Sequence, residues 1–445
     1  MHFKDYISSM QILNYIYFVI LTFLLFYYVQ QKRVITTHPL DKSQKIIFNG
    51  LEMFWVLLFS TGLFAFSAPA GLDLMAIRLL VLEGVCLLVI CSFARRSVWT
   101  PAVALNFFFI VWMICGLSYT PAPYYGIRVI SKYLYAPLII LAASVLVHRS
   151  ETAMIALVWS RRVALIALLT YFIPYVGYLI PGVFWYGTAA AIHFITIVVM
   201  SLSLYFFNGK QKRDLFLALL FALPCIIWVF RTSIMGTTLA LMIFSLFRYK
   251  LKALPFIFGI LCLFVAAIFF IPSVKEKMFF DKTQASVSQV QSGEINMDNI
   301  NSNGRFAMWV WSLERYYEPT PLIGSGTGNL QEVFYSLKHP FATIKICHND
   351  YVQILCDNGL IGLVLFGASF LYLIFHCFIV YQGRRHLPMV RVCALIAGPA
   401  MGGTLLTMYT DNVINYTMAT ISFPCAIYGM MLGLLQTEKK KRHAL

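Results

Sequence analysis

Long apolar stretches recur along the whole chain, and they limit it to one kind of fold. A membrane-spanning helix needs about 20 consecutive, mostly apolar residues. Runs of that kind occur at residues 11–29, 47–67, 72–92, 101–117, 128–147, 163–182, 189–207, 214–230, 233–247, 253–272, 359–381, 392–410 and 413–436. Of the 445 residues, 60% are hydrophobic and only 12% are charged, whereas soluble domains carry about 25% charged residues. The sequence therefore predicts an all-α polytopic membrane protein with about 12–13 transmembrane helices.

Positive charge is concentrated in every second loop. The chain carries 34 Lys and Arg against 18 Asp and Glu. Of these cations, 22 lie within residues 32–45, 95–96, 149–162, 210–213, 248–252, 384–391 and 439–442. Cytoplasmic loops of membrane proteins are enriched in Lys and Arg, so we assign these loops to the cytoplasm. Binding to nucleic acid is not needed to explain the net charge of +16.

One connection on the opposite side is much longer than the others. It runs over residues 273–358, about 86 residues, and loops of that length in a compact chain are usually functional. Phe306, Trp309, Val310 and Leu313 have the spacing of one helix face, which predicts short helices inside the loop. We expect three parts: a transmembrane bundle (1–272), a periplasmic catalytic loop (273–358), and C-terminal transmembrane helices with a basic cytoplasmic tail (359–445).

The densest polar cluster lies where this loop meets the next span. It is His348-Asn349-Asp350-Tyr351. The unperturbed pKa of histidine suits general-base chemistry near neutral pH, so we take His348 as a candidate base and its three neighbours as candidate substrate ligands. The alternative is a helix start capped by Asn349 or Asp350, with an incidental histidine.

Four cations lie at the outer edges of spans: Arg128, Lys132, Arg231 and Arg305. Arginine suits phosphate oxygens because it can donate two parallel hydrogen bonds, and a charge close to the hydrocarbon indicates function. For Arg231, between two apolar runs, we favour phosphate binding. For Arg128 and Lys132 the simpler alternative is that their side chains extend to lipid headgroups.

Weaker signals complete the candidate site. The segment 324–329 holds Gly326 and Gly328 but lacks the Lys-Ser/Thr of a phosphate-binding P-loop. It predicts a tight turn, beside the sugar or phosphate. Asp411 lies near an outer helix end and receives no role. Zinc-type histidine spacing and an outer-loop Asp-x-Asp pair do not occur, so neither a metal nor another cofactor is expected.

Taken in order, these motifs resemble a known family. Phe-Arg-Thr-Ser at 230–233 is followed by Asn-Gly-Arg-Phe-Ala-Met at 303–308 and Gly-Ser-Gly-Thr-Gly-Asn at 324–329. His-Asn-Asp-Tyr-Val-Gln follows at 348–353, and Asn-Gly-Leu-Ile-Gly-Leu at 358–363. The arrangement around one long outer loop resembles the bacterial O-antigen ligase and O-antigen polymerase superfamily, over roughly residues 225–365.

The resemblance implies a metal-independent, inverting glycosyltransferase. The donor would be a glycan on undecaprenyl diphosphate, used at the periplasmic face of the inner membrane. By position, Arg231 and Arg305 match the arginines thought to hold the diphosphate in this family, and His348 matches its catalytic histidine. The family usually has twelve spans, which leaves the first of our thirteen runs in question.

The acceptor separates the remaining possibilities. A ligase would use lipid A-core, and a polymerase of O-antigen or capsule repeat units would use a second lipid-linked glycan. We favour the ligase slightly. A transporter of lipid-linked oligosaccharides is a more distant alternative, because its polar residues would be expected near the bilayer midplane. Membrane lipids are the other expected partners, and nucleic acid is not one.

Overall fold

The computed structural model describes residues 27, 32–38, 43–61, 75–172, 188–227, 230–271, 305–341, 344–383 and 386–443. Within these ranges the chain forms, in order, β1 (Arg33–Thr37), β2 (Lys45–Asn49), α1 (Gly50–Thr61), α2 (Met75–Ser92), α3 (Pro101–Gly116), α4 (Pro123–Leu146), α5 (Ser150–Phe172), α6 (Thr188–Phe207), α7 (Lys212–Ile227), α8 (Arg231–Tyr249), α9 (Leu254–Phe270), α10 (Arg305–Ser312), α11 (Asn329–Tyr335), α12 (Asp350–Gln382), α13 (Pro388–Thr407) and α14 (Ser422–His443). Short helical turns lie at Ala94–Arg96, Lys250–Ala253, Leu313–Tyr317 and Val413–Tyr416.

The predicted class, an all-α polytopic membrane protein, is confirmed. Among the described residues, five helices are long and apolar enough to cross a membrane. They are Pro123–Leu146, Ser150–Leu169, Ala190–Phe207, Asp350–Gln382 and Pro388–Thr407. Helices also coincide with twelve of the thirteen apolar runs. The first run, 11–29, lies outside the described residues except for residue 27.

Several helices begin earlier than their apolar runs suggested, by nine residues or more in two cases. Helix α5 begins at Ser150 rather than near residue 163, and it therefore includes Arg161, which we had placed in a loop. Arg161 is buried, and its Nη1 lies 2.7 Å from Oδ1 of Asp214 in α7. A buried guanidinium is tolerated in a helix when a carboxylate compensates its charge.

Helix α12 begins at Asp350 and bends at Gly359, whose backbone has a φ of 66°. The expected division between catalytic loop and C-terminal helices, at residues 358 and 359, therefore coincides with a bend inside one helix. Asn349 is the N-cap, because its side chain accepts from the backbone N–H of Tyr351 and Val352. This observation bears out one of the two capping residues that the sequence suggested.

A two-stranded hairpin was not predicted. Strands β1 and β2 pair antiparallel, with Arg33 opposite Asn49 and Thr37 opposite Lys45. Asn49 and Glu52 then form a reciprocal cap at the start of α1. The Arg149 guanidinium donates to the carbonyl of Ile47 at 2.8 Å, so the hairpin lies at the arginine-rich end of α4. We call this end of the helices the basic end.

The helices pack closely where small residues face each other. Gly403 of α13 lies against the Gly236 carbonyl of α8, and Gly429 of α14 lies against the Ile140 carbonyl of α4. Small residues permit such close approach inside a membrane, where van der Waals packing drives helix association. The end of the bundle at which α13 ends and α4, α8 and α12 begin is called the site end.

The glycine-rich turn joins the long loop to the site end. Both carboxylate oxygens of Asp357 accept backbone N–H groups, from Gly328 at 3.0 Å and from Leu330 at 2.8 Å. The Asn358 side chain donates to Thr327 Oγ1, which donates to the Met113 carbonyl of α3. These buried hydrogen bonds anchor the described second half of the loop on α3 and α12.

Replacing Gly328 by alanine should loosen this anchor. Gly328 has a φ of 87°, and a Cβ there would meet the backbone of Gly126. Left-handed strain in a residue with a side chain typically costs about 1–3 kcal/mol, and the steric clash adds to it. We expect Gly328→Ala to lower the thermal unfolding midpoint of the detergent-purified protein by several degrees.

Gly367→Ala is the matched control, because a Cβ at Gly367 of α12 would meet nothing within 4 Å. Alanine also favours a helix by about 1 kcal/mol over glycine, so its midpoint should equal or exceed that of the wild type. Equal midpoints for the two variants would contradict the anchoring role of the turn.

Candidate active site

His348 lies directly before α12 in an unusual backbone conformation. Its φ is 53°, in the left-handed region that residues with side chains seldom adopt. Such a conformation persists where the surroundings hold it, and it often marks a functional site. The backbone N–H of His348 donates to Oδ1 of Asn412 at 2.6 Å. The segment after α13 therefore determines how the histidine is presented.

Asn412 is the centre of a buried polar network. Its amide nitrogen donates to Asp350 Oδ1 at 3.0 Å and to Gln353 Oε1 at 3.1 Å. The other oxygen of Asp350 accepts the backbone N–H of Ile414 at 3.2 Å. Asp350 also donates its own N–H to the carbonyl of Met408 at 2.9 Å. Together these bonds join the first turn of α12 to residues 408–414.

Asp411 pairs with the candidate base. Its Oδ1 lies 3.2 Å from Nδ1 of His348, and it also accepts the backbone N–H of Asn412 at 2.8 Å. An ionised carboxylate can only accept hydrogen bonds, so this network assigns the proton to Nδ1 and the free lone pair to Nε2. The His348 side chain is 28% exposed and that of Asp411 is 11% exposed. This arrangement suits a general base whose ring is oriented by a carboxylate.

The sequence left Asp411 without a role, although it was visible as an acid near a helix end. What was missing is the contact itself, because 63 residues separate Asp411 from His348. The charge pattern of the loops could have indicated the pairing, because it places both residues at the end of the bundle opposite the basic loops.

Thr410, beside this pair, contacts both Arg305 and the start of α8, which carries Arg231. The Arg305 guanidinium donates to the carbonyl of Thr410, the residue before Asp411. Thr410 in turn donates its hydroxyl to Thr232, the residue after Arg231, at 2.9 Å. The positive charge of Arg305 acts on Arg231, which places both arginines in one region of the site. The structure thus brings together the three residues that the sequence named as catalytic: His348, Arg231 and Arg305.

Helix α10 supports the site from the loop side. Trp309, in the predicted apolar stripe, donates from its indole to the carbonyl of Cys347 at 2.8 Å and packs against the Tyr409 ring at 5.4 Å. Burial, with Asp350 nearby, raises the pKa of the Cys347 thiol, so this thiol stays protonated. Cys347 and Cys356 are both free.

A phenol adjoins the carboxylates of the site. Burial raises the pKa of Tyr416, and the charges of Asp411 and Asp350 raise it further. Tyr416 therefore stays protonated at neutral pH. It forms part of the Val413–Tyr416 turn, which follows Asn412.

The predicted substrate ligands divide into two groups. Asn349 caps α12 and Asp350 is buried in the network. The hydroxyl of Tyr351 donates to the Leu405 carbonyl at 2.7 Å. Gly326 lies against Thr120, and Gly328 lies against Gly126. Each of these five has a packing or hydrogen-bonding role in the protein, and substrate binding by them stays a prediction.

Arg128 and Lys132 form the second group, at a different place. Lys132 Nζ lies 2.5 Å from Oδ1 of Asn415, and the Arg128 guanidinium lies over the rings of Tyr124 and Tyr125 at 5.8 and 5.9 Å. Both cations line a cavity of about 300 Å³, whose described lining does not include Arg231 or Arg305. The predicted cations therefore form two separate pairs.

The fold and the site define a class: a multi-pass membrane protein with a histidine–carboxylate pair and two arginines at one end of its helices. Residues 216–367 match the family model described as O-antigen ligase (Wzy_C). The match runs from α7 into α12 and includes His348, Arg231 and Arg305. A search of curated proteins found no match.

The match confirms the resemblance seen in the sequence: residues 216–367 are similar to the O-antigen ligase family. This family indicates a membrane enzyme that transfers glycans. Arg128, Lys132 and Asp411 lie outside the matched residues, so the assignment of their roles depends on the geometry of this chain.

Replacing Asn412 by alanine should disorganise the site. The change leaves the His348 N–H, the Asp350 oxygen and the Gln353 oxygen without their partner. Each unsatisfied buried group costs about 1–3 kcal/mol. We expect Asn412→Ala to lower the thermal unfolding midpoint clearly and to expose the segment around His348 to proteolysis.

Ser336→Ala is the control. It removes only an exposed hydrogen bond to the Glu332 carbonyl, in the long loop that also contains His348. Its thermal unfolding midpoint should equal that of the wild type. A wild-type midpoint and digestion pattern for Asn412→Ala would show that the network does not hold the site together.

Proposed function

We propose that this chain is a metal-independent, inverting glycosyltransferase of the O-antigen ligase type. Its donor is a glycan on undecaprenyl diphosphate, and its acceptor is lipid A-core at the periplasmic face of the inner membrane. One observation carries the proposal: Asp411 orients His348, and its neighbour Thr410 contacts both Arg305 and Thr232, the residue after Arg231. The site thus combines a base with cations for a leaving group.

In the proposed reaction, Nε2 of His348 removes the proton from the acceptor hydroxyl. The acceptor oxygen attacks the anomeric carbon of the donor sugar, and the bond from that carbon to the diphosphate oxygen breaks. A single displacement inverts the anomeric configuration. General-base catalysis of this kind contributes about 10²–10⁴ in rate. Asp411 acts as a positioning residue that also stabilises the charged imidazole.

Arg231 and Arg305 are proposed to bind the diphosphate. Negative charge develops on its oxygens as the bond breaks, and two guanidinium groups held close together are suited to neutralise it. Their mutual repulsion is relieved when an anion binds between them. Preorganised charge of this type is typically worth about 3–4 kcal/mol per donor in the transition state.

The charge distribution supports a periplasmic site. The basic end carries the α4–α5 and α8–α9 connections with Arg149 and Arg248, and such loops face the cytoplasm. His348 and Asp411 lie at the opposite end. A lipid-linked donor would present its diphosphate at that membrane surface, within reach of Arg231 and Arg305.

Deleting the chain from its native host tests the function. We expect bare core lipid on a polysaccharide gel, with long polymer retained on undecaprenyl diphosphate, because a ligase transfers finished chains. Core lipid capped by one repeat unit would instead establish a polymerase. An unchanged polysaccharide ladder would contradict both.

The same host, supplied with His348→Ala, should keep the deletion phenotype at normal protein level, since no base would remain. His386→Ala is the matched control. His386 also pairs with a carboxylate, Glu438 at 3.1 Å, but it lies at the basic end. If His348→Ala restored the wild-type polysaccharide pattern, His348 could not be the base.

Arg231→Lys should abolish most transfer although the positive charge is kept. Lysine is a point charge and cannot donate two parallel hydrogen bonds to a phosphate. The measurement is the rate of transfer by purified enzyme at saturating acceptor, with Arg213→Lys, an exposed position at the basic end, as the control. Wild-type rates in both variants would show that Arg231 acts only through its positive charge and not through paired hydrogen bonds.

A further inference from the structure

The cavity lined by Arg128 and Lys132 lies beside the active site and is built differently from it. It has a volume of about 300 Å³ and lies between α2, α4, α11 and the Val413–Tyr416 turn. Most of its surface is apolar, and among the described residues that line it none is acidic. An apolar cavity with a few convergent polar groups is the usual form of a small-ligand site.

Two exposed apolar side chains line the cavity. Leu80 of α2 and Ile127 of α4 both line it, and their side chains are 51% and 61% exposed. Exposed apolar side chains on membrane helices contact acyl chains. A ligand that enters here comes from the bilayer, so it carries hydrocarbon.

The inner part of the cavity attracts anions. Arg128 and Lys132 lie one helical turn apart and repel each other. Lys132 is partly buried, and its hydrogen bond is to a neutral amide, that of Asn415. Asp350 attracts Lys132, but both of its oxygens accept hydrogen bonds, from Asn412 and Ile414, and Glu83 accepts from Ser131. A phosphate between the two cations would compensate both charges.

The cavity and the arginine pair adjoin the same short segment of chain. Arg305 binds the carbonyl of Thr410, Asp411 binds His348, and Asn415 forms part of the cavity wall. His348 thus lies at a segment whose first residue contacts the proposed donor site and whose last residue contacts the cavity. A reaction that joins two lipid-borne substrates needs two such sites and one base between them.

We propose that this cavity binds the phosphate-bearing lipid part of the acceptor, with the phosphate at Arg128 and Lys132 and the chains leaving between Leu80 and Ile127. The proposal rests on the proposed function, because it names the acceptor site of that reaction. It applies to either acceptor class, since phosphorylated core lipid and a lipid-linked glycan both combine phosphate with hydrocarbon.

The test is steady-state transfer by purified enzyme with donor and acceptor varied independently. Arg128→Gln and Lys132→Gln should each raise the acceptor KM about tenfold or more, since a charge-assisted hydrogen bond contributes about 1.5–3 kcal/mol. The kcat and the donor KM should change little. Arg315→Gln, an exposed position in the same outer region, should leave all three constants unchanged.

A direct binding measurement distinguishes a phosphate-bearing lipid from free phosphate as the ligand. It also tests the cavity if the transfer assay gives no signal. Phosphatidic acid in detergent should raise the unfolding midpoint of the wild type but not that of Arg128→Gln, whereas phosphatidylcholine and inorganic phosphate should raise neither. Stabilisation by inorganic phosphate alone, or equal stabilisation of both proteins by phosphatidic acid, would overturn the proposal.

The two proposals fail in different ways. An unchanged acceptor KM in folded variants, or a raised donor KM in its place, would reject the acceptor cavity while the transfer reaction stands. A wild-type enzyme that transfers nothing to any acceptor would reject the proposed function. The phosphatidic acid measurement would then show by itself whether the cavity binds a phosphate-bearing lipid.

Discussion

The site depends on the hydrogen bonds of one side chain, that of Asn412. One amide group accepts the backbone N–H of His348 and donates to Asp350 and Gln353. It therefore holds the histidine in a left-handed conformation and fastens the turn that carries Asp411. Inside a protein a satisfied polar network is stronger than in water, and a broken one costs more. The geometry of His348, the proposed base, is thus set by Asn412, a residue to which we assign no chemical step.

The separation of charge between the two ends explains why the site lies where it does. Cations accumulate at the basic end, in the pattern that cytoplasmic loops of membrane proteins show. Three of the described cations at the site end are held by specific contacts: Arg305 by a carbonyl, Lys132 by an amide and Arg128 by two aromatic rings. Because these cations do not merely balance the topology, they can bind anionic substrates.

Much of this could be read from the sequence, and the limits follow from particular residues. Hydrophobic runs located twelve helices, and motif order located His348, Arg231 and Arg305. The β1–β2 hairpin was missed because two five-residue strands have no periodicity that stands out beside apolar runs. The start of α5 was missed because Arg161 looked like a loop cation, whereas Asp214 compensates it inside the bundle.

The sequence by itself determined the class of protein, the orientation of its charges and the residue types at the site. These depend on composition and on local periodicity, which a single chain displays directly. Only the tertiary structure decided that Asp411 orients His348, that Arg128 and Lys132 leave the arginine pair to line a separate cavity, and that Gly328 fits against Gly126. The physical reason is distance along the chain: these contacts join residues 63 to 283 positions apart, and packing of the helices alone brings them together.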